Sequence, residues 1–369
     1  MIEAISRGDL AGEPGLATGT SPRKMLVSIQ YLRAIAALLV VLQHAGAMLP
    51  GGPNRIEAFD SGHVGVSIFF VISGFVMHHA ARRERAGEFI RRRLVRIVPL
   101  YWVMTTVLLA IYLAGYRPEV TKAALFTSYV LSLGFIPHPA VIGPHVTPLL
   151  VTGWTLDREM LFYALFAIGL LVGRPAAFSA AALVVLALVG KSDLLTGPIA
   201  IVWTDPKLVQ FAAGLGIGWL FTRAYPATLA ALLPVGAVLS VLWASGSTGV
   251  TGSVLITAAG AAMIVAGALA LEPRLVSPSR LLMLIGAASY AIYLSHTILM
   301  IGLMPALGPL ADTGLAGFTA AIAIGVALST AVGIALHVVL EKPLLAWADA
   351  ATRRLWRLPA KSDRAREAA

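Results

Sequence analysis

Apolar residues fall in long, nearly unbroken runs separated by short polar stretches. The runs cover about 29–49, 64–81, 97–115, 149–172, 176–190, 205–222, 227–244, 250–271, 281–306 and 315–340. A helix crosses the hydrocarbon core with about 20 apolar residues, so the pattern predicts ten crossings. A further stretch, 122–137, is shorter and contains Thr127, Ser128 and Ser132. The expected fold is all-α: a polytopic membrane protein with about ten transmembrane helices plus one re-entrant or surface helix. Residues 1–28 are expected as a flexible cytoplasmic N-terminus, 29–345 as the transmembrane domain, and 346–369 as a basic cytoplasmic tail.

Charge fixes the expected orientation. Residues 82–96 hold seven Arg against two Glu, and residues 342–369 hold seven Lys or Arg against three acidic residues. Basic segments flanking spans stay cytoplasmic. Counting inward from these two blocks places both termini inside and 116–148 outside, which requires that 122–137 not cross. The run PHPAVIGPHVTP at 137–148 reads as a Pro-ordered external loop.

Composition narrows the function. The 369 residues are 58% hydrophobic and only 12% charged, with a net charge of +10. A soluble domain carries about a quarter charged residues. Soluble enzymes and nucleic-acid binders are poor fits, and the basic blocks flank membrane spans. No cysteine occurs, which removes disulfides, thiolate metal sites and an acyl-cysteine intermediate. The first 28 residues show no short apolar core with a small-residue cleavage site, so the first span is the expected insertion signal. No internal repeat is evident, which disfavours the inverted-repeat transporters.

Polar side chains inside spans are costly and mark cavities or partners. Arg33 and His44 lie 11 residues apart, near three helical turns, and project from one face about 16 Å apart along the axis. A snorkelling Arg and a His satisfied by a neighbouring helix is the structural alternative. Glu159 sits in the fourth crossing at a depth comparable with His44, with an ion pair to Arg158 or Arg33 as its structural alternative. Arg93 and Arg96 share a helix face at a membrane mouth and suit bidentate phosphate binding; a topology-setting positive loop is the alternative. Ser289, Tyr293 and His296, with Tyr290 beside them, form a polar stripe, expected to line a cavity or a helix–helix seam. Ser73-Gly74 reads as close helix packing. Glu341 beside Lys342-Pro343 reads as a helix terminus. His78 and His79 lack metal-ligand spacing, and no metal site is expected.

Together these segments resemble the membrane-bound acyltransferase 3 family, and within it the exopolysaccharide O-acetyltransferases. The resemblance covers roughly residues 26–345. It rests on Arg33-x10-His44, GVSIFFVISGF, Arg93-x-x-Arg96 with Pro99, WTL-x-x-E at Trp154–Glu159, and SYAIYLSH at Ser289–His296. It implies about ten transmembrane helices and transfer of an acetyl group to a carbohydrate hydroxyl. Acetyl-CoA is the implied cytoplasmic donor, without a metal. The implied acceptor is a polysaccharide or a lipid-linked glycan, with polysaccharide export machinery as a candidate partner. The bacterial inner membrane is the implied location. Essential positions of the family fall on Arg33, His44, Arg93, Arg96 and Glu159. Related sequences usually carry uncharged residues where this chain has Asp157-Arg158, which bears on the acceptor.

The chemistry asks for a base to take a hydroxyl proton, and a neutral His suits the task. His44 is the expected base, oriented by Glu159. Arg93 and Arg96 are expected to hold donor phosphates, and Tyr290, Tyr293 and His296 to bind substrate. A transporter or flippase for an anionic solute or lipid-linked sugar would use the same intramembrane Arg, His and Glu. A structural subunit of an export complex would use them as buried pairs.

Overall fold

The computed structural model describes residues 25–50, 61–116, 119–192, 195–223, 226–244 and 254–355. The expectations for residues 1–24 and 356–369, and for most of the first external loop, lie outside the described residues. The described residues are 83% helical, with no strand among them. The α-helices are α1 Val27–Met48, α2 Ser61–Val76, α3 Ala86–Ile111, α4 Lys122–Leu133, α5 Trp154–Leu171, α6 Pro175–Val189 and α7 Pro198–Trp203. They continue as α8 Leu208–Phe221, α9 Leu232–Ala244, α10 Val254–Ala270, α11 Arg280–Ala311, α12 Leu315–Leu336 and α13 Lys342–Leu355.

Six helical stretches among the described residues are long and apolar enough to cross a membrane: Val27–Met48, Gly62–Ala81, Ala86–Tyr116, Ala227–Ala244, Arg280–Ala311 and Leu315–Arg354. Others expected to cross are shorter or more polar. The 14 residues of α8 rise about 21 Å, less than a full hydrocarbon core. Helix α5 carries Asp157, Arg158 and Glu159 in succession.

Small residues let the helices approach closely. At the α2–α8 crossing a Cβ on Gly74 would lie 2.1 Å from the Phe211 carbonyl oxygen, and one on Gly214 2.1 Å from that of Val71. Glycine on both helices brings the two backbones into contact. Phe70, Phe162 and Phe211 interlock beside this crossing, with ring centroids 4.4 Å apart for Phe70–Phe211 and 4.8 Å for Phe162–Phe211. Large apolar side chains also point outward, among them Leu171, Leu255 and Leu315. An apolar surface on both faces is what a helix surrounded by lipid requires.

Contacts along the helices give their relative directions. Arg33 meets Ser289 and His44 meets His296, so α1 and α11 run parallel. Tyr163 lies against Arg93 while Gly153 abuts Tyr101, so α3 and α5 run antiparallel. The carboxylate of Glu272, just after α10, accepts the Val27 and Ser28 amides at 2.8 Å each. It caps the N-terminus of α1, where free N–H groups and the helix dipole favour an anion.

Two expected segments differ. Residues 82–96 were expected as a loop, but α3 begins at Ala86. The basic residues of its first turns are paired there. Arg91 binds Glu88 and Asp349, and Arg92 pairs with Glu84. Residues 346–369 were expected as a basic tail outside the membrane domain, yet α13 continues to Leu355, where Asp349 and Thr352 bind Arg91 and fasten it to α3. Helix α4 packs one face on α3 and leaves Phe126 and Val130 exposed. Its Ser128 and Ser132 bind His138 and the Leu149 amide, at 2.7 and 2.8 Å. The 137–148 segment folds back through a bridge between Pro139 and Val146.

Candidate active site

Five helices meet around a cavity of about 190 Å³. Helix α1 contributes Arg33, α2 Ser73, α3 Arg93 and Arg96, α5 Glu159 and Tyr163, and α11 Ser289, Tyr290 and Tyr293. Three guanidinium groups against one carboxylate give this wall a net positive charge.

Each charge is held by its neighbours. Arg33 Nε donates to Ser289 Oγ at 3.2 Å. Arg96 donates to Glu341 at 2.7 Å and lies over the Tyr290 ring. Glu341 is fully buried and also binds His337 Nδ1 at 2.7 Å. The Arg93 guanidinium lies 5.7 and 5.9 Å from the ring centres of Phe89 and Tyr163, and its buried Nε has no hydrogen-bond partner. Tyr163 donates its hydroxyl to Glu159 at 2.5 Å, and Ser73 donates to the same oxygen at 3.0 Å. A chain of contacts thus runs from Ser73 through Glu159 and Tyr163 to the Arg93 guanidinium. Tyr290 is anchored by a bond to the Ile97 carbonyl at 2.7 Å.

His44 lies beyond this cavity. Its ring meets that of His296 edge to face, with centroids 4.9 Å apart. His44 Nδ1 is 2.9 Å from the Val40 carbonyl oxygen, and His296 Nδ1 is 3.1 Å from that of Ile292. A carbonyl only accepts, so each Nδ1 carries the proton and each Nε2 of the neutral ring presents a lone pair. Tyr293 stands between the two layers: it lines the cavity, and its ring lies 6.0 Å from His296 and 6.1 Å from Phe69.

The expected Glu159–His44 contact is not made. The carboxylate goes to Ser73 and Tyr163, and His44 is oriented by a carbonyl of its own helix. A carbonyl four residues back is always in reach of a helical side chain, so no carboxylate is needed to set this tautomer. The structural alternative for Glu159, a pair with Arg158, is also not made, because Arg158 binds Asp205 at 2.6 Å. The stripe on α11 divides: Ser289, Tyr290 and Tyr293 face the cavity, and His296 joins His44. Sequence reasoning gave Ser73 to packing and Glu341 to a helix end, and it overlooked Tyr163. The four-residue step from Glu159 to Tyr163 was the one available signal. Among the described residues no group of three or more His, Asp or Glu gathers as metal ligands would.

Comparison with known proteins gives the family. The family description Acyl_transf_3, an acyltransferase domain, matches residues 26–338. The exopolysaccharide production protein ExoZ of Rhizobium meliloti is 37% identical over 298 residues, covering 78% of this chain and 90% of that protein. The acyltransferase MdmB of Streptomyces mycarofaciens is 30% identical over 38% of each chain. The peptidoglycan O-acetyltransferase OatA of Listeria monocytogenes is 30% identical over 41% of this chain and 25% of its own length. No solved structure matches. The chain is an integral membrane protein of the acyltransferase 3 family, and an acyltransferase.

Proposed function

We propose that the protein transfers an acetyl group from cytoplasmic acetyl-CoA to a hydroxyl of an exported or cell-surface polysaccharide, or of its lipid-linked precursor. The carrying observation is the cavity into which Arg33, Arg93 and Arg96 converge from α1 and α3. On α1 the same helix leads on to His44, whose Nδ1 bond to Val40 leaves Nε2 basic. The relatives support the acceptor class, since their names include exopolysaccharide production and peptidoglycan O-acetylation.

The cavity fits an anionic donor. Arg93 has a buried, unpartnered Nε, and phosphate oxygens match guanidinium donors. At about 190 Å³ it is smaller than the roughly 300–1,000 Å³ that enclose a drug-sized ligand, so it would take one portion of the donor. Arg33, Arg93 and Arg96 would hold that portion. Glu159 is a positioning residue, fixing Tyr163 beneath Arg93. In the transfer step His44 Nε2 takes the proton of the acceptor hydroxyl as its oxygen attacks the thioester carbonyl carbon. The C–S bond then breaks and the proton passes to the departing thiolate. Tyr293 and His296 line the route between donor and base.

The assigned topology has ten crossings, formed by α1, α2, α3, α5, α6, α8, α9, α10, α11 and α12, with α4 in an external segment. The parallel α1–α11 and antiparallel α3–α5 pairs support it. Both termini are then cytoplasmic in the bacterial inner membrane. Residues 29–345 form the acyltransferase domain, between the N-terminal segment 1–28 and the basic tail 346–369.

The test compares donor binding with transfer. Arg93→Ala weakens acetyl-CoA binding, while His44→Ala retains binding and loses transfer. Equal loss of binding in both variants contradicts this division of labour.

A further inference from the structure

Between α12 and α13 the chain makes a π-helical turn, His337–Glu341. Such turns are rare and sit frequently at functional sites. This one presents Glu341, whose side chain is fully buried. Both of its carboxylate oxygens are engaged. Oε1 accepts from Arg96 Nη1 and Oε2 from His337 Nδ1, at 2.7 Å each. A carboxylate only accepts, so His337 is the donor. The far side of the turn is held too, because α13 is fastened to α3 where Asp349 and Thr352 accept from Arg91.

The pair straddles the wall of the arginine cavity. Arg96 lines the cavity, and neither Glu341 nor His337 does. The Arg96 side chain is 20% exposed, and that of Glu341 is not exposed at all. The carboxylate therefore grips the guanidinium from outside the cavity. The Tyr290 ring lies 5.5 Å from the guanidinium carbon, and its hydroxyl is anchored on the Ile97 carbonyl at 2.7 Å. A guanidinium carries five N–H donors, so one bond from Nη1 does not exhaust it. Holding a long side chain in place before a ligand arrives removes an ordering cost from binding. Arg93 is served in a parallel way, by Glu159 through Tyr163.

We propose that Glu341, oriented by His337, is a positioning residue for the acyl donor. It holds Arg96 preset for a phosphate of acetyl-CoA and does not itself touch the donor. The proposal rests on the acyltransfer reading and extends it to a residue outside the cavity. A carboxylate present only to neutralise a buried cation must keep its charge. One that positions must keep its reach, and two conservative substitutions separate these demands. Glu341→Asp keeps the charge and withdraws it by one methylene. Glu341→Gln keeps the reach without the charge: its amide oxygen accepts from Arg96, and its amide N–H meets His337 in the other neutral tautomer.

The test uses the full chain in membrane vesicles, with labelled acetyl-CoA varied against a fixed excess of crude extracellular polysaccharide. Glu341→Asp is expected to raise the KM for acetyl-CoA about 3- to 10-fold, the range for ordering one long side chain on binding, with kcat held within about twofold. Glu341→Gln is expected to keep KM within about twofold of wild type. KM does not depend on the amount of folded enzyme, so a partial fold defect leaves the comparison intact. Should Glu341→Asp yield no folded chain, His337→Leu decides in its place. That variant keeps the Arg96–Glu341 pair, frees Oε2, and is expected to raise KM with kcat held. An unchanged KM in the deciding variant, or a rise in Glu341→Gln as large as that in Glu341→Asp, overturns the positioning role and leaves acyltransfer standing. Wild-type vesicles that transfer no label from acetyl-CoA overturn the donor reading, and the proposal with it.

Discussion

Replacing Glu341 with Ala should unfold the protein more easily than its place at a helix end suggests. The Glu341 carboxylate is fully buried, and it binds Arg96 at 2.7 Å and His337 at 2.7 Å. The Arg96 side chain is 20% exposed, so screening by solvent is limited. Removing one partner of a buried pair costs about 3–5 kcal/mol, whereas replacing both by apolar groups is often neutral. The double variant Arg96→Met, Glu341→Leu should therefore recover most of the loss, short of about 1 kcal/mol for the hydrogen bond of His337. Denaturant unfolding of the purified chain in detergent, followed by tryptophan fluorescence, measures both. A single variant costing under about 1 kcal/mol, or a double variant as unstable as the single, refutes the reasoning. Activity should separate from stability, because the double variant lacks the Arg96 guanidinium and binds acetyl-CoA weakly although it is folded.

Two other substitutions probe the packing and the cavity. Gly74→Ala places a methyl 2.1 Å from the Phe211 carbonyl oxygen and should cost about 1–3 kcal/mol by overpacking; denaturant unfolding in detergent reads this, and an unchanged midpoint contradicts the close α2–α8 approach. Tyr163→Phe removes one hydrogen bond from Glu159, worth about 0.5–1.5 kcal/mol, but keeps the ring beneath Arg93. The KM for acetyl-CoA should rise by no more than about tenfold, and a larger rise means that the phenol hydroxyl itself meets the donor.

The helical character and the six long apolar helices were legible because long apolar runs leave few alternatives. Arg33, Arg93, Arg96, Glu159 and the Ser289–Tyr293 stripe could be picked out because polar groups are costly in a span. Their mutual partners were not legible. Glu159 binds Ser73 and Tyr163, and only the second shares its helix. The partner of Arg96 lies 245 residues away at Glu341, in a π-helical turn that no local pattern announces. Residues 82–96 read as a loop because seven arginines dominate them, yet Glu84, Glu88 and Asp349 neutralise enough of that charge for α3 to begin at Ala86. Asp157 was visible as a departure from related sequences. That Arg158 pairs with Asp205 rather than with its neighbour became evident only in the structure.

The central claim is that His44 serves acetyl transfer from acetyl-CoA to polysaccharide. Sealed membrane vesicles carrying wild type or His44→Ala at matched expression, supplied with labelled acetyl-CoA and crude extracellular polysaccharide, test it most directly. The account predicts label in the polysaccharide with wild type and none with the variant. Equal label with both contradicts it and removes His44 from the step.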